Sequence, residues 1–188
     1  MVEAGARVLD ARGWEGFTMQ EVASVAGVSP GSLYQYFPDQ AALVTEIIER
    51  VSTRELEFHL ARFAQLPQAV TLDEVLERLI DALIDFQALE GPLMRRGLEA
   101  LQHLGRYALL SERAGRAASL VRGLLEEHSA ELDPALDLDL ATHVLANSIH
   151  SLTHDGVLPR PPSLDDTSLK HAVLRLARGY LGLSRPAR

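Results

Sequence analysis

Residues 18–37 read TMQEVASVAGVSPGSLYQYF, and the placement of caps and apolar positions in this stretch decides how the chain folds. Thr18 and Glu21 stand in capping-box register, in which the hydroxyl accepts from the Glu21 backbone N–H while the carboxylate reaches back to the cap. That helix ends before Gly27, a residue suited to a left-handed exit. Ser29 caps a second helix with Pro30 in its first turn, where a missing N–H costs nothing, and this helix runs to Phe37. Two short helices around a glycine turn make a helix-turn-helix. Val22, Ala23, Ala26, Val28 and Leu33 have the spacing to pack the pair against a helix over residues 2–11, and Ala23 and Ala26 are small enough for a close crossing. What stays outward on the second helix is Ser29, Pro30, Gly31, Ser32, Tyr34, Gln35 and Tyr36. These short donors, phenols and an amide suit a nucleic-acid groove.

Working outward, the first helix turns Val8 and Leu9 inward and stops at Gly13. Asp39 caps a fourth helix over residues 40–65, a rigid rod that Pro67 ends. Thr71 with Glu74 caps a fifth helix to residue 89. Gly91-Pro92 is expected to break it, with shorter helices over 93–104 and 106–130 and another break at Asp133-Pro134. Two long helices, over 137–155 and 164–182, flank a Pro159-Arg160-Pro161-Pro162 loop, the second opening at a cap between Ser163 and Asp166. Apolar residues recur at helical spacing almost throughout and no stretch alternates with β-branched enrichment, so the fold class is all-α. The elements lengthen sharply after the helix-turn-helix, which places a domain boundary near residue 45: a small domain over 1–45 and a larger helical one over 46–188.

The first fifty residues resemble the tetracycline-repressor (TetR) family. The resemblance is carried by Thr18, by Ala26-Gly27-Val28-Ser29, by Gly31-Ser32-Leu33-Tyr34 and by Tyr36-Phe37, preceded by the Gly13-Trp14 to Phe17-Thr18 connection and followed by Leu43. It implies a transcriptional regulator whose residues Thr18, Tyr34 and Tyr36 hold phosphates. Ser29, Pro30, Gly31, Ser32 and Gln35 then approach base edges, with Gln40 completing the DNA-facing set. Gln35 is the best base reader, because an amide can pair twice with adenine, whereas a tyrosine at a helix end more readily reaches a phosphate. The resemblance also implies a ligand-responsive repressor that is released from a palindromic operator by a small, mainly apolar molecule. Repression is the favoured reading, and activation is the other outcome the resemblance allows.

Charge is the main departure. The formal net charge is −8, and residues 1–50 hold only Arg7, Arg12 and Arg50 against seven carboxylates, whereas proteins that neutralise phosphates usually show a basic face. The family usually has lysine where this sequence has Pro30 and Gln40, and a basic arm ahead of the first helix. DNA binding is therefore expected to be weaker than is usual in the family, carried by uncharged contacts and helix N-termini. The alternative reading is a helical ligand- or partner-binding protein with a weakened DNA-binding head. There is no cysteine, so disulfides, thiolate metal sites and thiol chemistry are out, which suits a reducing cytoplasm. No apolar run approaches the roughly 20 residues of a membrane span, and residues 1–10 lack the layout of a secretory signal.

In the larger domain, apolar faces run through Leu76, Leu79, Ile80, Leu83, Phe86, Leu98, Leu101, Leu120 and Leu124. Core and cavity lining use the same residue types, so Phe86, Gln87, Met94, Leu98, Leu101, His103, Tyr107, Leu120 and Leu124 form the candidate ligand set. His143, Asn147, His150 and His154 make one polar stripe opposite Ala141, Leu145, Ile149 and Leu152. That stripe faces solvent, a partner subunit or a cavity; an i, i+4 pair such as His150 and His154 could also ligate a metal, although nothing completes a known metal site. Leu169, Val173, Leu176 and Tyr180 give the final helix more apolar surface than one neighbour covers. The family resemblance implies that the last two helices pair with their copies, so this row and the polar stripe are the expected homodimer interface. An enzyme is not expected: Ser148 and Ser151 lie near His150 and Asp155, but neighbours on one helix point in different directions. No cofactor or metal is called for.

Overall fold

The computed structural model describes residues 1–65, 70–105, 107–153 and 165–183, without the side chains of 107–114. In chain order the helices are α1 (Val2–Arg12), α2 (Met19–Ala26), α3 (Pro30–Tyr36), α4 (Gln40–Phe63), α5 (Leu72–His103), α6 (Tyr107–Glu127), α7 (Leu138–Thr153) and α8 (Asp166–Leu181), with a 3-10 turn at Ser129–Glu131. No strand occurs among the described residues, and no described helix is long and apolar enough to cross a membrane. The chain divides into two compact units: Met1–Glu57 with Ala88–Ser111, and Phe58–Gln87 with Glu112–Arg188. Helices α4 and α5 each contribute residues to both.

The first unit, the head, is built on close approach. Val8, Leu9, Phe17, Val22, Leu33, Leu43, Ile47 and Ile48 are buried. A Cβ on Gly5 would stand 3.0 Å from Ile47 Cδ1, and one on Gly97 would stand 2.0 Å from Ile48 Cδ1. Glycine at these two places lets α1 and the second half of α5 come close against α4: a side chain at Gly5 would press on Ile47, and one at Gly97 would require Ile48 to move. Arg54 grips Glu90 with two hydrogen bonds, 2.9 and 3.1 Å, and Arg96 reaches Asp10 at 3.2 Å.

The second unit gathers Leu72, Leu76, Ile80 and Ile84 of α5 with Leu125, with Leu145 and Ile149 of α7, and with Leu169, Val173, Leu174, Ala177 and Leu181 of α8 into one apolar core. A polar seam runs beside it. Arg178 takes Asp73, with Nη2 donating at 2.9 Å, and Glu77 at 2.7 Å, while Lys170 reaches Asp81 at 2.6 Å. The carboxylates recur every fourth residue along α5, so they share one helical face. Hydrogen bonding to Asp73, and then to Glu77, outweighs the cost of burial and raises the Arg178 pKa further above its ordinary value.

Three expectations are corrected. Helix α5 does not break at Gly91-Pro92; it continues through Pro92 to His103. Pro92 and Ala88 are both exposed, so the carbonyl that the proline ring leaves without a donor lies where water can reach it. Met94, Gly97, Ala100 and Leu101 beyond it are buried, and their packing sustains the helix against a local cost of about 3 kcal/mol. Helix α6 ends at Glu127 and a separate 3-10 turn follows, in place of one helix to residue 130. Helix α8 starts at Asp166, two residues later than expected, with Asp165 as its cap, accepting from the Ser168 N–H at 2.7 Å; Ser163 lies outside the described residues.

Candidate DNA-binding site

Each short helix of the head is fixed at both ends by its own sequence. Thr18 Oγ1 accepts from the Glu21 N–H at 3.2 Å. The reciprocal half of the capping box is not made: Glu21 pairs with Arg12 at 2.7 Å, because α1 brings a guanidinium within reach and charge attracts the carboxylate away. Gly27 closes α2 in the left-handed region, φ 67°, and the Val28 N–H returns to the Ala23 carbonyl at 3.0 Å, the bonding expected of a glycine exit. Ser29 Oγ then accepts from the Ser32 N–H at 3.0 Å, with Pro30 opening α3.

Leu33 is fully buried and pins α3 by one face, while Tyr34 is 49% and Tyr36 70% exposed, with Gln35 exposed beside them. Gly31 and Pro30 are exposed and Ser32 is half-buried. Ser29 and Ser32 also share a hydroxyl contact at 2.9 Å, so each hydroxyl serves the helix start as well as any partner. Val22 and Ala23 are buried as expected; Ala26 and Val28 are half-buried, at the edge of the crossing.

An open cleft of about 540 Å³ lies beside α3, lined by Thr18, Met19, Gln20, Pro30, Tyr34, Pro38, Asp39 and Gln40. It receives the N-termini of α2 and α4, where unbonded N–H groups and the helix dipole favour an anion. No lining residue is a cation. Gln40 has a bracing role that its sequence position did not reveal: Nε2 donates to the Phe17 carbonyl at 2.6 Å, tying the start of α4 to the α1–α2 connection. Gln20 and Pro38 were not singled out from the sequence; Gln20 could have been, as the exposed residue two places after the Thr18 cap.

The sequence-predicted ligand residues do not fall in one unit. Met94 and Leu101 are buried, Leu98 is half-buried and His103 is exposed against Trp14, all in the head. Phe86 is buried, Gln87 and Leu124 are half-buried and Leu120 is exposed, in the second unit. The Tyr107 side chain lies outside the described residues. In the second unit Phe86 meets Phe58 at 5.7 Å and His59 at 6.2 Å between ring centroids, and Arg62 lies 4.7 Å over the Phe58 ring while pairing with Asp85. Phe86 belongs to the sequence-predicted ligand set, whereas Phe58, His59 and Arg62 were not singled out, because they lie on α4, far from Phe86 in sequence.

Of the expected interface residues, His143, Asn147 and His150 are exposed on α7 and Leu176 is exposed on α8. Leu169 and Val173 are instead part of the chain's own core, with Tyr180 packed against it. Leu152, expected on the inward face, is exposed, as is Leu140. His154 lies outside the described residues, and no group of three metal-binding side chains occurs among the described ones.

Residues 1–47 match the model for bacterial regulatory proteins of the tetR family, and residues 71–181 match that for the tetracyclin repressor-like C-terminal domain. The chain belongs to the TetR family. It is a transcription regulator with a helix-turn-helix DNA-binding domain and a helical ligand-binding domain. Solved TetR-like structures share the fold. The fatty acid degradation regulator FadR from Bacillus halodurans superposes with a TM-score of 0.74 at 20% identity, over 94% of this chain and 91% of its own. FadR from Bacillus subtilis, solved in complex with stearoyl-CoA, gives 0.70 at 19%, over 95% and 96%. A tetR-family regulatory protein from Rhodococcus RHA1 gives 0.72 at 19%, over 98% and 96%. No curated protein matches the sequence.

Proposed function

We propose that this TetR-family chain is a ligand-responsive repressor that binds a palindromic operator as a homodimer and lets go when a small, mainly apolar molecule occupies its larger domain. The observation that carries the reading is the outer face of α3: Leu33 anchors the helix and leaves Tyr34, Gln35 and Tyr36 exposed. Two phenols and an amide presented together on the outer face of one short helix supply donors, acceptors and flat surface, and a groove of DNA is a partner they fit. Gln35 reads base edges; Thr18, Tyr34 and Tyr36 hold phosphates near the N-termini of α2 and α4. Ser29, Pro30, Gly31 and Ser32 bring the backbone close to the bases.

The exposed face of α7 that carries Leu140, His143, Asn147 and His150, together with exposed Leu176 on α8, is the surface that a second copy covers. Two heads related by a twofold axis then meet two half-sites about 34 Å apart. Effector binding changes that separation through α4 and α5, which run through both units, and affinity falls by geometry without unfolding. The FadR relative bound to stearoyl-CoA supports an amphiphile with a long apolar part as the effector class, and the Phe58, His59 and Phe86 rings offer an apolar wall with Arg62 at its edge. The protein acts in the cytoplasm and performs no catalysis.

Fluorescence anisotropy against the protein's own upstream intergenic DNA and a scrambled duplex, at two salt concentrations, tests this. Selective binding lost in Gln35→Ala and Tyr36→Ala is the expected result. The salt slope should be shallow, because few cations replace counterions. Absence of any DNA binding would move the assignment to a ligand- or partner-binding protein with a weakened head.

A further inference from the structure

The head carries a second open cleft, of about 580 Å³, lined by Arg12, Gly13, Trp14, Glu15, Glu99 and His103. We infer that it is a binding site for a small planar organic cation, such as an aryl amidinium or a flat heteroaromatic ammonium, distinct from the interior of the larger domain. The volume falls in the range of small-molecule sites, roughly 300–1,000 Å³.

The local sequence builds a platform. Gly13 turns the chain at the end of α1 with φ 66°. The next residues wrap tightly on α1, because a Cβ at Gly16 would stand 2.7 Å from Arg12 Cβ and 3.1 Å from the Arg12 carbonyl oxygen. Buried Phe17 anchors the loop, with its ring 6.3 Å from that of Trp14. The imidazole of His103, in the last turn of α5, lies 6.3 Å from the Trp14 ring and within 7° of parallel to it. Trp14 is thus held as a half-exposed flat surface with a second flat ring beside it.

The charges around this platform select the sign of the ligand. Arg12 is committed to Glu21 at 2.7 Å. Glu15 and Glu99 are exposed and have no hydrogen-bond or ion-pair partner among the described residues. Helix α5 ends here, so its last carbonyls add partial negative charge. Two uncompensated carboxylates, a helix C-terminus and the face of an indole all attract a cation and repel an anion. A flat cation stacks on the ring and keeps its charge between the carboxylates. Once bound, it fastens the last turn of α5 to the connection that leads into α2, an input to the helix-turn-helix that does not pass through the core of the larger domain.

Trp14 is the only tryptophan in the chain, so its fluorescence reports the site directly. The full-length protein is titrated with benzamidine, neutral benzamide and anionic benzoate, with free N-acetyltryptophanamide as the collisional control. The expected result is a saturable change with benzamidine alone, weakened about tenfold or more, about 1.4 kcal/mol, in Glu15→Gln/Glu99→Gln. Circular dichroism checks that this variant is folded, as expected for exposed, unpartnered side chains. His103→Ala is expected to weaken binding less. A linear response matching the free indole, an equal response to benzamide, or undiminished affinity in the double glutamine variant overturns the proposal. None of these readouts depends on DNA.

Discussion

The unit that carries the helix-turn-helix and the unit built around α7 and α8 are both helical, yet different interactions hold them. In the head, helices meet over glycine: Gly5 against Leu43 and Ile47, Gly97 against Ile48. In the second unit they meet over leucines, with an acidic row on α5 answered by Arg178 and Lys170 on α8. The head should therefore resist enlargement of its small residues, and the second unit should resist truncation of its large ones. Close backbone approach fixes geometry to fractions of an ångström, which suits a part that must present α3 to a groove. A leucine core leaves room for rearrangement, which suits a part that must answer a ligand.

Truncation in the second unit gives the largest effect. Leu145→Ala deletes a side chain that is 1% exposed in the centre of that core, and is expected to cost about 3–4 kcal/mol through lost transfer energy and a residual cavity. Urea unfolding followed by circular dichroism measures it. A loss below about 1 kcal/mol would mean that the core is already loose there, and the contrast with the head would need restating. Arg178→Ala is next, at about 2 kcal/mol. The Arg178 and Asp73 side chains are only 21% and 19% exposed, so two carboxylates lose their partner in a partly desolvated place, but solvent access keeps the cost below that of a fully buried pair.

Enlargement separates the units by sign. Gly97→Ala gains about 1 kcal/mol of helix propensity, yet its Cβ falls on Ile48 Cδ1 and crowds Cγ1 at 3.0 Å. A net loss of about 1–2 kcal/mol is expected. Ile48→Val removes the clashing methyl, so the pair Gly97→Ala/Ile48→Val should recover most of the loss, and thermal unfolding of the full cycle reads the coupling. Gly123→Ala, on α6 in the second unit with nothing within 4 Å of its Cβ, should instead stabilise by about 0.5–1 kcal/mol. Equal signs at the two glycines would remove the distinction between the units.

The same contrast explains what was legible. In the head, Thr18, Ser29 and Asp39 each accept from the N–H three residues on, so α2, α3 and the start of α4 can be read from sequence almost to the residue. The faces follow, because a seven-residue helix pinned by Leu33 has only one way to turn Tyr34, Gln35 and Tyr36 outward. What escaped is non-local. Gly91-Pro92 reads as a stop only until Met94, Gly97 and Leu101 are known to be buried. The Trp14–His103 stack, the Gln40 brace and the Arg178 clamp join residues that are far apart in the chain. Leu169 and Val173 follow the pattern of an interface, but periodicity marks an apolar face without saying whether the chain's own α5 and α7 or a partner covers it. Even the half-made capping box at Glu21 turns on Arg12, which a motif of four residues does not include.

Acid sharpens the comparison with the smallest effect. In the second unit Glu74 and Asp165 are both held below their ordinary values of 4.5 and 3.8, Glu74 chiefly by the backbone N–H of Thr71 and Asp165 chiefly by that of Ser168. Each carboxylate thus contributes stability that is fully present above its unfolded pKa and is lost as the pH falls through its lower folded pKa. In the head, α2 and α3 are capped by the hydroxyls of Thr18 and Ser29, which do not titrate. Glu74→Gln/Asp165→Asn keeps acceptors at both places, since asparagine caps about as well as aspartate, but removes the titration. Thermal melts stepped from pH 6 to pH 3 should show a shallower acid limb in this variant than in the parent, with little difference at pH 6. Gly97→Ala should shift the melts by a similar amount at every pH, because packing against Ile48 carries no proton. An acid limb unchanged in the capping variant would place the acid sensitivity outside these two caps and remove this part of the contrast between the units.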